Sequence, residues 1–497
     1  MCTSKIMGII QIILPAIVAF LAVNWSYFKV LKIAKEKNLA DAPDARKLQQ
    51  SPVPVLGGIA VFFGVVTGML VGTALYPWFH EGSVFGMAAV LCALVMMIYT
   101  GGMDDMIGLT PRSRFVIEIL TLLGIIFASG ICVDQLNGLW GVGSISWWIG
   151  VPLSIFGGVG IINAINMIDG VNGLSSGLCI SCSILFGLAF LLVGDAMNAM
   201  LAFIIAAALV PFLLHNVFGN RSRMFIGDAG TMMMGVVLTW FVFAMLDGDV
   251  NLWKQHFGHD VNLIALALAI LGVPVFDTVR VMLMRVINKK SPFHPDKTHL
   301  HHAFIKLGFS HSITAVTEIL INLLIVGAWV LFVFLGVSIN MQLYLIVAVA
   351  MLLVWSAYFW LYWHEKHHTE LMHRMSQMSI RTHLGDTQWW QKLERWLDGP
   401  EAKEEKNVEE TPKATRRAED FYHFEAITPD NLKEMDRKQI YNFMKGKAEV
   451  FVDDIKQRSG ANPLRVDVVI EEGIFDGFIT IIKENEWKTP MIVARIE

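Results

Sequence analysis

Charge is scarce in this chain. Asp, Glu, Lys and Arg make up 16% of its 497 residues, where a soluble protein carries about 25%. That shortfall excludes an ordinary water-soluble globule, and it is uneven, because a strongly charged C-terminal part dilutes an oilier beginning. Cysteine is scarce too. Cys2, Cys92, Cys132, Cys179 and Cys182 offer no disulfide framework. Cys179 and Cys182 form a C-x-x-C inside an apolar run, where buried small residues are expected rather than a redox or metal pair. The net charge of −4 says little about partners, and no nucleic-acid partner is expected.

Apolar sequence is what the chain has. Hydrophobic residues reach 55% and the mean hydropathy is +0.54. Stretches of about 20 apolar residues recur between positions 7 and 363, each long enough for a ~30 Å hydrocarbon core. Eleven transmembrane helices are expected, at roughly 6–28, 55–76, 84–101, 113–131, 147–165, 175–194, 198–217, 229–247, 261–284, 313–336 and 341–363. The fold class is therefore an all-α polytopic membrane protein. The first apolar stretch has no short core followed by a small-residue cleavage site and reads as a retained helix.

The connecting loops fall into two sets. Nearly all Lys and Arg lie in one, which includes "GGMDDMIGLTPRSR", "FGNRSRMFIGDAG", "MRVINKKSPFHPDKTHLHHAFIKLG" and the tail; Lys254 is the exception in the other. Basic residues in short loops mark the cytoplasmic side. An odd number of spans then puts the N-terminus outside and the tail inside. Every loop with clustered acidic, amide or histidine side chains falls on the expected cytoplasmic face, so one polar site assembled from several loops is the economical reading.

Four features make up that site. Asp104 and Asp105 in "GGMDDMIG" follow a span directly, and adjacent carboxylates need a cation or hydrogen bonds to coexist. Mg²⁺, which takes oxygen ligands and substrate phosphates, is one answer; a solvated N-cap for the next helix is the other. In "INAINMIDGVNGLSSG", Asn163 and Asn166 lie one helical turn apart, followed by Asp169 and Asn172. These suit a metal or a nucleotide, or an ordinary turn with Asx caps. Asp228 in "FIGDAGTMMMG" opens a helix, whose N-terminus favours an ionised carboxylate or a bound phosphate. In "SPFHPDKTHLHHAF", His294, Lys297, His299, His301 and His302 crowd together. The spacing does not match common zinc patterns, which leaves phosphate contact at least as good a reading. Such a constellation suits phosphoryl transfer between a lipid and a cytosolic diphosphate.

These motifs, in this order, together with "DAPDARKLQQSPVPVLGGIA", resemble the polyprenyl-phosphate N-acetylhexosamine-1-phosphate transferases of the glycosyltransferase 4 family. The resemblance covers roughly residues 1–363 and is strongest to the branch acting with UDP-GlcNAc and undecaprenyl phosphate. Phospho-MurNAc-pentapeptide transferases are the alternative, less similar because their histidine loop carries three adjacent histidines where this chain reads "HLHHAF". The resemblance implies an enzyme that joins a sugar phosphate to undecaprenyl phosphate and releases UMP, with Mg²⁺ as cofactor and Mn²⁺ as the alternative ion. It implies the bacterial inner membrane, a role in lipid-linked surface polysaccharide synthesis, and leaves a homodimer open.

Carried over residue by residue, Asp104 and Asp105 resemble the aspartate pair, one of which is held to deprotonate the lipid phosphate or to attack as a nucleophile. Asp228 resembles the magnesium ligand, with Asn166 beside it. Asp169 falls among the catalytic and nucleotide contacts, Asn216 matches an amide upstream of the "GD" motif, and His299, His301 and His302 match the histidine loop. Arg112 and Arg114, and more weakly Lys47, sit where basic residues approach the lipid phosphate. Two departures stand out: Asn172 replaces an aspartate of "DGxDG", and Thr231 replaces the commoner serine. A secondary transporter is the rival from a different class, disfavoured because its polar groups belong near the midplane.

After position 363 the histidines at 364, 367, 368 and 373 read as a wet extension of the last helix. Trp389, Trp390, Leu393, Trp396 and Leu397 share one face of a short helix, which suits the bilayer interface or packing against a tail domain. Residues 364–418 as a whole read as this helix plus a charged linker. Residues 419–497 read as a small cytoplasmic α/β domain with strands at "LRVDVVI", "GFITII" and "MIVARI".

Overall fold

The computed structural model describes residues 2–37, 39–41, 53–75, 81–291, 298–367 and 387–398. Beyond these it describes Ile440, Met444, 450–451, Ile470, 479–484 and 490–495. Two compact units divide the chain, Met1–Ala402 and Lys403–Glu497.

The first unit is a helix bundle. In order it holds α1 (Cys2–Glu36), a two-stranded antiparallel pair β1 (Ala40–Asp41) and β2 (Val53–Pro54), α2 (Gly57–Leu75), α3 (Glu81–Ile107), α4 (Pro111–Ser129) and α5 (Trp147–Met167). There follow α6 (Leu174–Leu192), α7 (Ala196–Phe218), α8 (Gly227–Asp247), α9 (Val250–Phe257), α10 (Leu263–Ile270) and α11 (Gly272–Ile287). The unit closes with α12 (Leu300–Lys306), α13 (His311–Phe334), α14 (Ile339–Lys366) and α15 (Gln388–Asp398). Among the described residues nine helices are long and apolar enough to cross a membrane, and the bent pair α10–α11 makes a tenth. A helix covers each of the eleven expected spans. The remaining one, α4, is also 19 residues long but carries Arg112, Arg114 and Glu118.

Helix α8 is the hub. Its apolar window is entirely buried, and it packs against α2, α3, α5, α6, α7 and α10. A helix apolar all round belongs in such a place. The outer helices instead expose large apolar side chains, among them Leu70, Phe156, Leu324 and Leu352, as helices facing hydrocarbon do.

The expected single helix at 261–284 is two, bent by 81° at Leu271. Gly272 and Pro274 begin α11, and a proline has no N–H to continue the ladder. A break within an apolar bundle must satisfy its backbone internally. Asn322 of α13, fully buried, does this from both ends: its Oδ1 accepts from the Val273 N–H at 2.9 Å, and its Nδ2 donates to the Ile270 carbonyl at 2.9 Å. Cys182 Sγ reaches the same carbonyl at 3.1 Å. Cys179 and Cys182 are both buried and unbridged, the bland outcome the sequence favours.

In the second unit β3 (Val450–Phe451), β4 (Ile479–Glu484) and β5 (Pro490–Arg495) form an antiparallel sheet in the order β3-β5-β4. The last two fall on "GFITII" and "MIVARI". The stretch "LRVDVVI" lies outside the described residues except Ile470, which is helical.

Candidate active site

The site is made where helix ends meet. The last turn of α3 supplies Asp104 and Asp105, and the first turn of α8 supplies Asp228. Two glycines bring these backbones together. A Cβ on Gly101 would lie 2.3 Å from the Ala229 nitrogen and 2.4 Å from the Asp228 carbonyl carbon. Gly227 enters α8 at φ +72°, a left-handed conformation, and a Cβ there would lie 2.5 Å from Asp105 Oδ2. Asp105 then caps the helix: its two oxygens accept from the N–H groups of Asp228 at 2.9 Å and Ala229 at 3.2 Å, which are otherwise without intrahelical partners.

Arg114, one turn into α4 behind the Thr110 cap, draws three other oxygens together. Its Nη1 donates to Asp104 Oδ2 at 2.7 Å and to Asp228 Oδ2 at 3.3 Å, and its Nη2 donates to Asn166 Oδ1 at 3.0 Å. Asp104 Oδ1 accepts from the Leu109 N–H at 2.6 Å. Asn166 Nδ2 in turn donates to Asp228 Oδ1 and Thr231 Oγ1, each at 2.8 Å, so the hydroxyl kept at position 231 is in use. Asn163, on the same face of α5, instead donates to Glu118 Oε2 at 2.7 Å. Glu118 is fully buried and its other oxygen has no partner.

Among the described residues no three His, Cys, Asp or Glu side chains form a metal-holding group by themselves. The donor set around the Arg114 guanidinium is nevertheless two carboxylates and one amide carbonyl, all hard oxygens facing one positive group. Mg²⁺ is ordinarily held by one or two carboxylates with substrate phosphates completing its shell. The residues fit such an ion, with the guanidinium standing in its place.

Asp169 lies in the α5–α6 loop, reached by solvent yet hemmed in by protein, and its Oδ1 accepts from the Ser175 hydroxyl. Desolvation raises its pKa to about 6; the Ser175 bond opposes this and the Asp228 charge adds to it. The next residue meets the histidine loop. A Cβ on Gly170 would lie 2.5 Å from His301 Nε2, and the Asn172 N–H donates to His311 Nδ1 at 3.2 Å. The histidine loop and the "NMIDGVNG" loop are thus in contact.

His301 is buried, with an Nδ1 that has no partner. Burial, then the neighbouring imidazoles of His302 and His299, hold its pKa well below the ordinary value. It is a neutral ring rather than a cation. His302 is half-buried, its ring 4.3 Å from that of His301. His299 is buried with Nδ1 2.8 Å from Asp277 Oδ2. Asp277 also receives Arg280 Nη2 at 2.6 Å and the Leu300 N–H, and Arg280 Nη2 reaches the Thr298 carbonyl at 2.6 Å. Sequence reasoning missed Asp277 and Arg280, whose only signal is a D-x-x-R spacing inside an apolar helix.

The other expected residues divide. Arg112 is exposed and, unlike Arg114, is not drawn into the cluster. Asn216, expected at the substrate, is buried with both ends of its amide engaged: Oδ1 accepts from the Gly173 N–H at 2.7 Å and Nδ2 donates to the Met224 carbonyl at 3.0 Å. It braces the α5–α6 loop to the α7–α8 loop. Lys47, His294 and Lys297 lie outside the described residues.

Residues 87–246 match the family model described as glycosyl transferase family 4. Similar curated proteins include the undecaprenyl-phosphate alpha-N-acetylglucosaminyl 1-phosphate transferases of Yersinia pestis, 28% identical over 57% of this chain and 74% of the relative, and of Escherichia coli strain K12, 28% identical over 61% and 79%. The probable undecaprenyl-phosphate N-acetylglucosaminyl 1-phosphate transferase of Bacillus subtilis is 29% identical over 63% and 82%.

Proposed function

We propose that the chain, whose residues 87–246 match glycosyl transferase family 4, acts as a member of that family and transfers N-acetylhexosamine-1-phosphate from a UDP-sugar to undecaprenyl phosphate. GlcNAc is the favoured sugar, because the similar proteins are named for it. The products are undecaprenyl-diphospho-sugar and UMP, a first membrane step toward surface polysaccharide. The observation that carries this reading is the convergence of Asp104, Asp228 and Asn166 on Arg114.

In the reaction, an oxygen of the lipid phosphate forms a bond to the sugar-bearing phosphorus. The bond from that phosphorus to the UMP oxygen breaks, and UMP leaves with the electron pair. Asp104, Asp228 and Asn166 would hold Mg²⁺ (or Mn²⁺), which when bound neutralises charge developing on the phosphoryl oxygens. Direct displacement suits the remaining groups. Asp105 spends both oxygens on the α8 amides, so it fixes Asp228 rather than attacks, and an anionic phosphate needs no deprotonation. Arg114 is placed to pass from these oxygens to the incoming lipid phosphate. Neutral His301, beside the Asp169 loop, offers one N–H to the nucleotide diphosphate. Asn172 stands on that loop, and His302 and His299 flank the same side.

The basic loops and the gathering of Asp104, Asn166, Asp228 and the histidines at one end of the bundle support a cytoplasmic site in a bacterial inner membrane with the N-terminus outside. The purified protein, given UDP-GlcNAc, undecaprenyl phosphate and Mg²⁺, should release UMP in step with lipid-linked sugar. Absence of Mg²⁺-dependent UMP with any UDP-N-acetylhexosamine defeats the proposal.

A further inference from the structure

Helix α15 does not float free of the bundle. Asp398, at its C-terminal end and with a side chain 5% exposed, inserts its carboxylate into the turn after α7. The N–H groups of Asn220, Arg221 and Ser222 donate to it at 3.3, 3.0 and 3.0 Å, and the Ser222 hydroxyl donates at 2.6 Å. Successive backbone amides converging on one anion form a nest. Trp390 packs on Phe218, ring centroids 4.4 Å apart, with Trp389 at 6.1 Å, and Leu397 is buried. Trp389 and Trp396 keep 53% and 72% of their surface exposed, so one edge of the helix remains for the bilayer interface.

The loop held this way leads into α8. Ser222 is fixed from beneath by Tyr27, whose hydroxyl donates to its carbonyl at 2.8 Å, and by His215 Nδ1, 3.0 Å from its hydroxyl. Downstream, Met224 takes the Asn216 brace, and the Phe225 N–H donates to the Pro54 carbonyl at 2.7 Å. Gly57 and Gly58 donate to the carbonyls of Phe225 and Ile226 at 2.9 and 2.8 Å. Gly227 and Asp228 follow at once. Hydrogen bonds tie Ser222, Met224, Phe225 and Ile226 to their surroundings, so the segment transmits a displacement rather than absorbing it. Burial alone would raise the Asp398 pKa; the Ser222 hydroxyl and the backbone amides outweigh it and hold it below the ordinary value. The anion in the nest is therefore charged at any physiological pH.

We propose that Asp398 is a positioning residue for the transferase site: docked in the 220–222 nest, α15 sets the α7–α8 loop and through it the placement of Asp228. The proposal rests on the function proposed above. It gives the segment after the last span a part in the reaction that the bundle alone does not have.

The test uses the full chain with Asp398→Ala, Asp398→Asn and Trp390→Ala, and Trp396→Ala as the control on the exposed edge. Loop exposure is read by trypsin cleavage after Arg221 or Arg223, mapped by mass, and the site by UMP release across a Mg²⁺ titration. Asp398→Ala should accelerate cleavage in that loop and lower turnover about 10- to 100-fold, the scale of a small misplacement of a reacting group. It should also raise the half-saturating Mg²⁺ about tenfold. A mere loss of folded protein would lower turnover without moving that midpoint. Trp390→Ala should act in the same direction, Asp398→Asn should fall between, and Trp396→Ala should match the parent. Unchanged loop cleavage in Asp398→Ala, or lost turnover with an unmoved Mg²⁺ midpoint, would overturn the proposal. If the parent itself releases no UMP, the function proposed above fails, while the cleavage arm still decides whether Asp398 docks the helix.

Discussion

A single methyl group at Gly101 should pull the two halves of the candidate site apart. Built onto the backbone, that Cβ lies 2.3–2.4 Å from three main-chain atoms of Asp228 and Ala229. None of these can rotate away, and ordinary contact begins at about 3.5 Å, so α3 and α8 must separate by about 1 Å. The Asp105 bonds to the Asp228 and Ala229 amides, now 2.9 and 3.2 Å, would then lie near or beyond the useful limit. Overpacking of this kind costs about 1–3 kcal/mol of stability. Activity should suffer more: a 1 Å misplacement is worth roughly 100-fold in rate, or about 2.7 kcal/mol of barrier. The adjacent residue is the control, since a Cβ on Gly102 meets nothing within 4 Å.

Gly101→Ala and Gly102→Ala should therefore both be recovered folded in detergent, the first melting a few degrees lower. UMP release from UDP-GlcNAc and undecaprenyl phosphate should fall about 100-fold in Gly101→Ala and stay within about twofold in Gly102→Ala. Near-parental turnover in Gly101→Ala would show that the closeness of α3 to α8 does not govern the site. Equal losses in both variants would show that the α3 end tolerates no change for some other reason.

Three further outcomes follow from the same geometry. Arg114→Ala removes the group that competes for the Asp104, Asp228 and Asn166 oxygens. Its charge-assisted bonds, made by a side chain 19% exposed, amount to about 1–2 kcal/mol, so Mg²⁺ should protect the variant against thermal unfolding at about tenfold lower concentration; an unchanged or higher midpoint refutes the shared place. Asp169, with its pKa raised to about 6, is protonated more readily in the fold than in the unfolded chain. Its contribution to stability is present below about pH 4 and is lost as pH rises through 6. Melting should therefore fall as pH rises from 4 to 6, and Asp169→Asn should flatten that dependence; an unchanged pH profile in Asp169→Asn would refute the shift. Asp277→Asn leaves Arg280 uncompensated where both side chains are at most 2% exposed. Loss of a partner in such a pair costs about 3–5 kcal/mol, so this variant should melt well below His299→Ala; the reverse order would mean that His299, not the ion pair, holds the histidine loop.

The helices were legible because hydrophobic runs of membrane-spanning length need only composition to be seen. The broken span was legible in part, since Gly272 and Pro274 announce it, but the angle depends on Asn322 reaching across from another helix. The aspartates were legible as polar residues at apolar ends. Their division of labour was not, because Asp104 and Asp105 are adjacent in sequence and only packing turns one toward Arg114 and the other onto the α8 amides. The Asn216 brace was not legible for a related reason: an amide near a motif reads as a ligand, and only the fold shows its two ends bridging two loops. The α15 face was visible as a periodic pattern, whereas its partner, a turn 176 residues earlier, leaves no trace in local sequence.

Charge balance carries the case for a divalent ion further than motif matching does. Asp104, Asp105, Asp169 and Asp228 bring four carboxylates to one end of the bundle, and among the described residues Arg114 is the single cation bound among them. A sugar nucleotide and a lipid phosphate would each add negative charge to that face. Like charges at such separations cannot share a poorly hydrated site unless positive charge is supplied or protons are taken up. Asp105 escapes by accepting amides, and Asp169 partly escapes by its raised pKa. Asp104 and Asp228 each accept one neutral amide, but among the described residues their charged partner is the guanidinium alone. On the proposed reaction, once Arg114 turns to an incoming phosphate, those two would need a replacement of equal or greater charge that accepts oxygen ligands and leaves room for the diphosphate. That requirement would favour an ion of the Mg²⁺ kind over a second arginine, and would make arrival of the ion and release of Arg114 one coupled event.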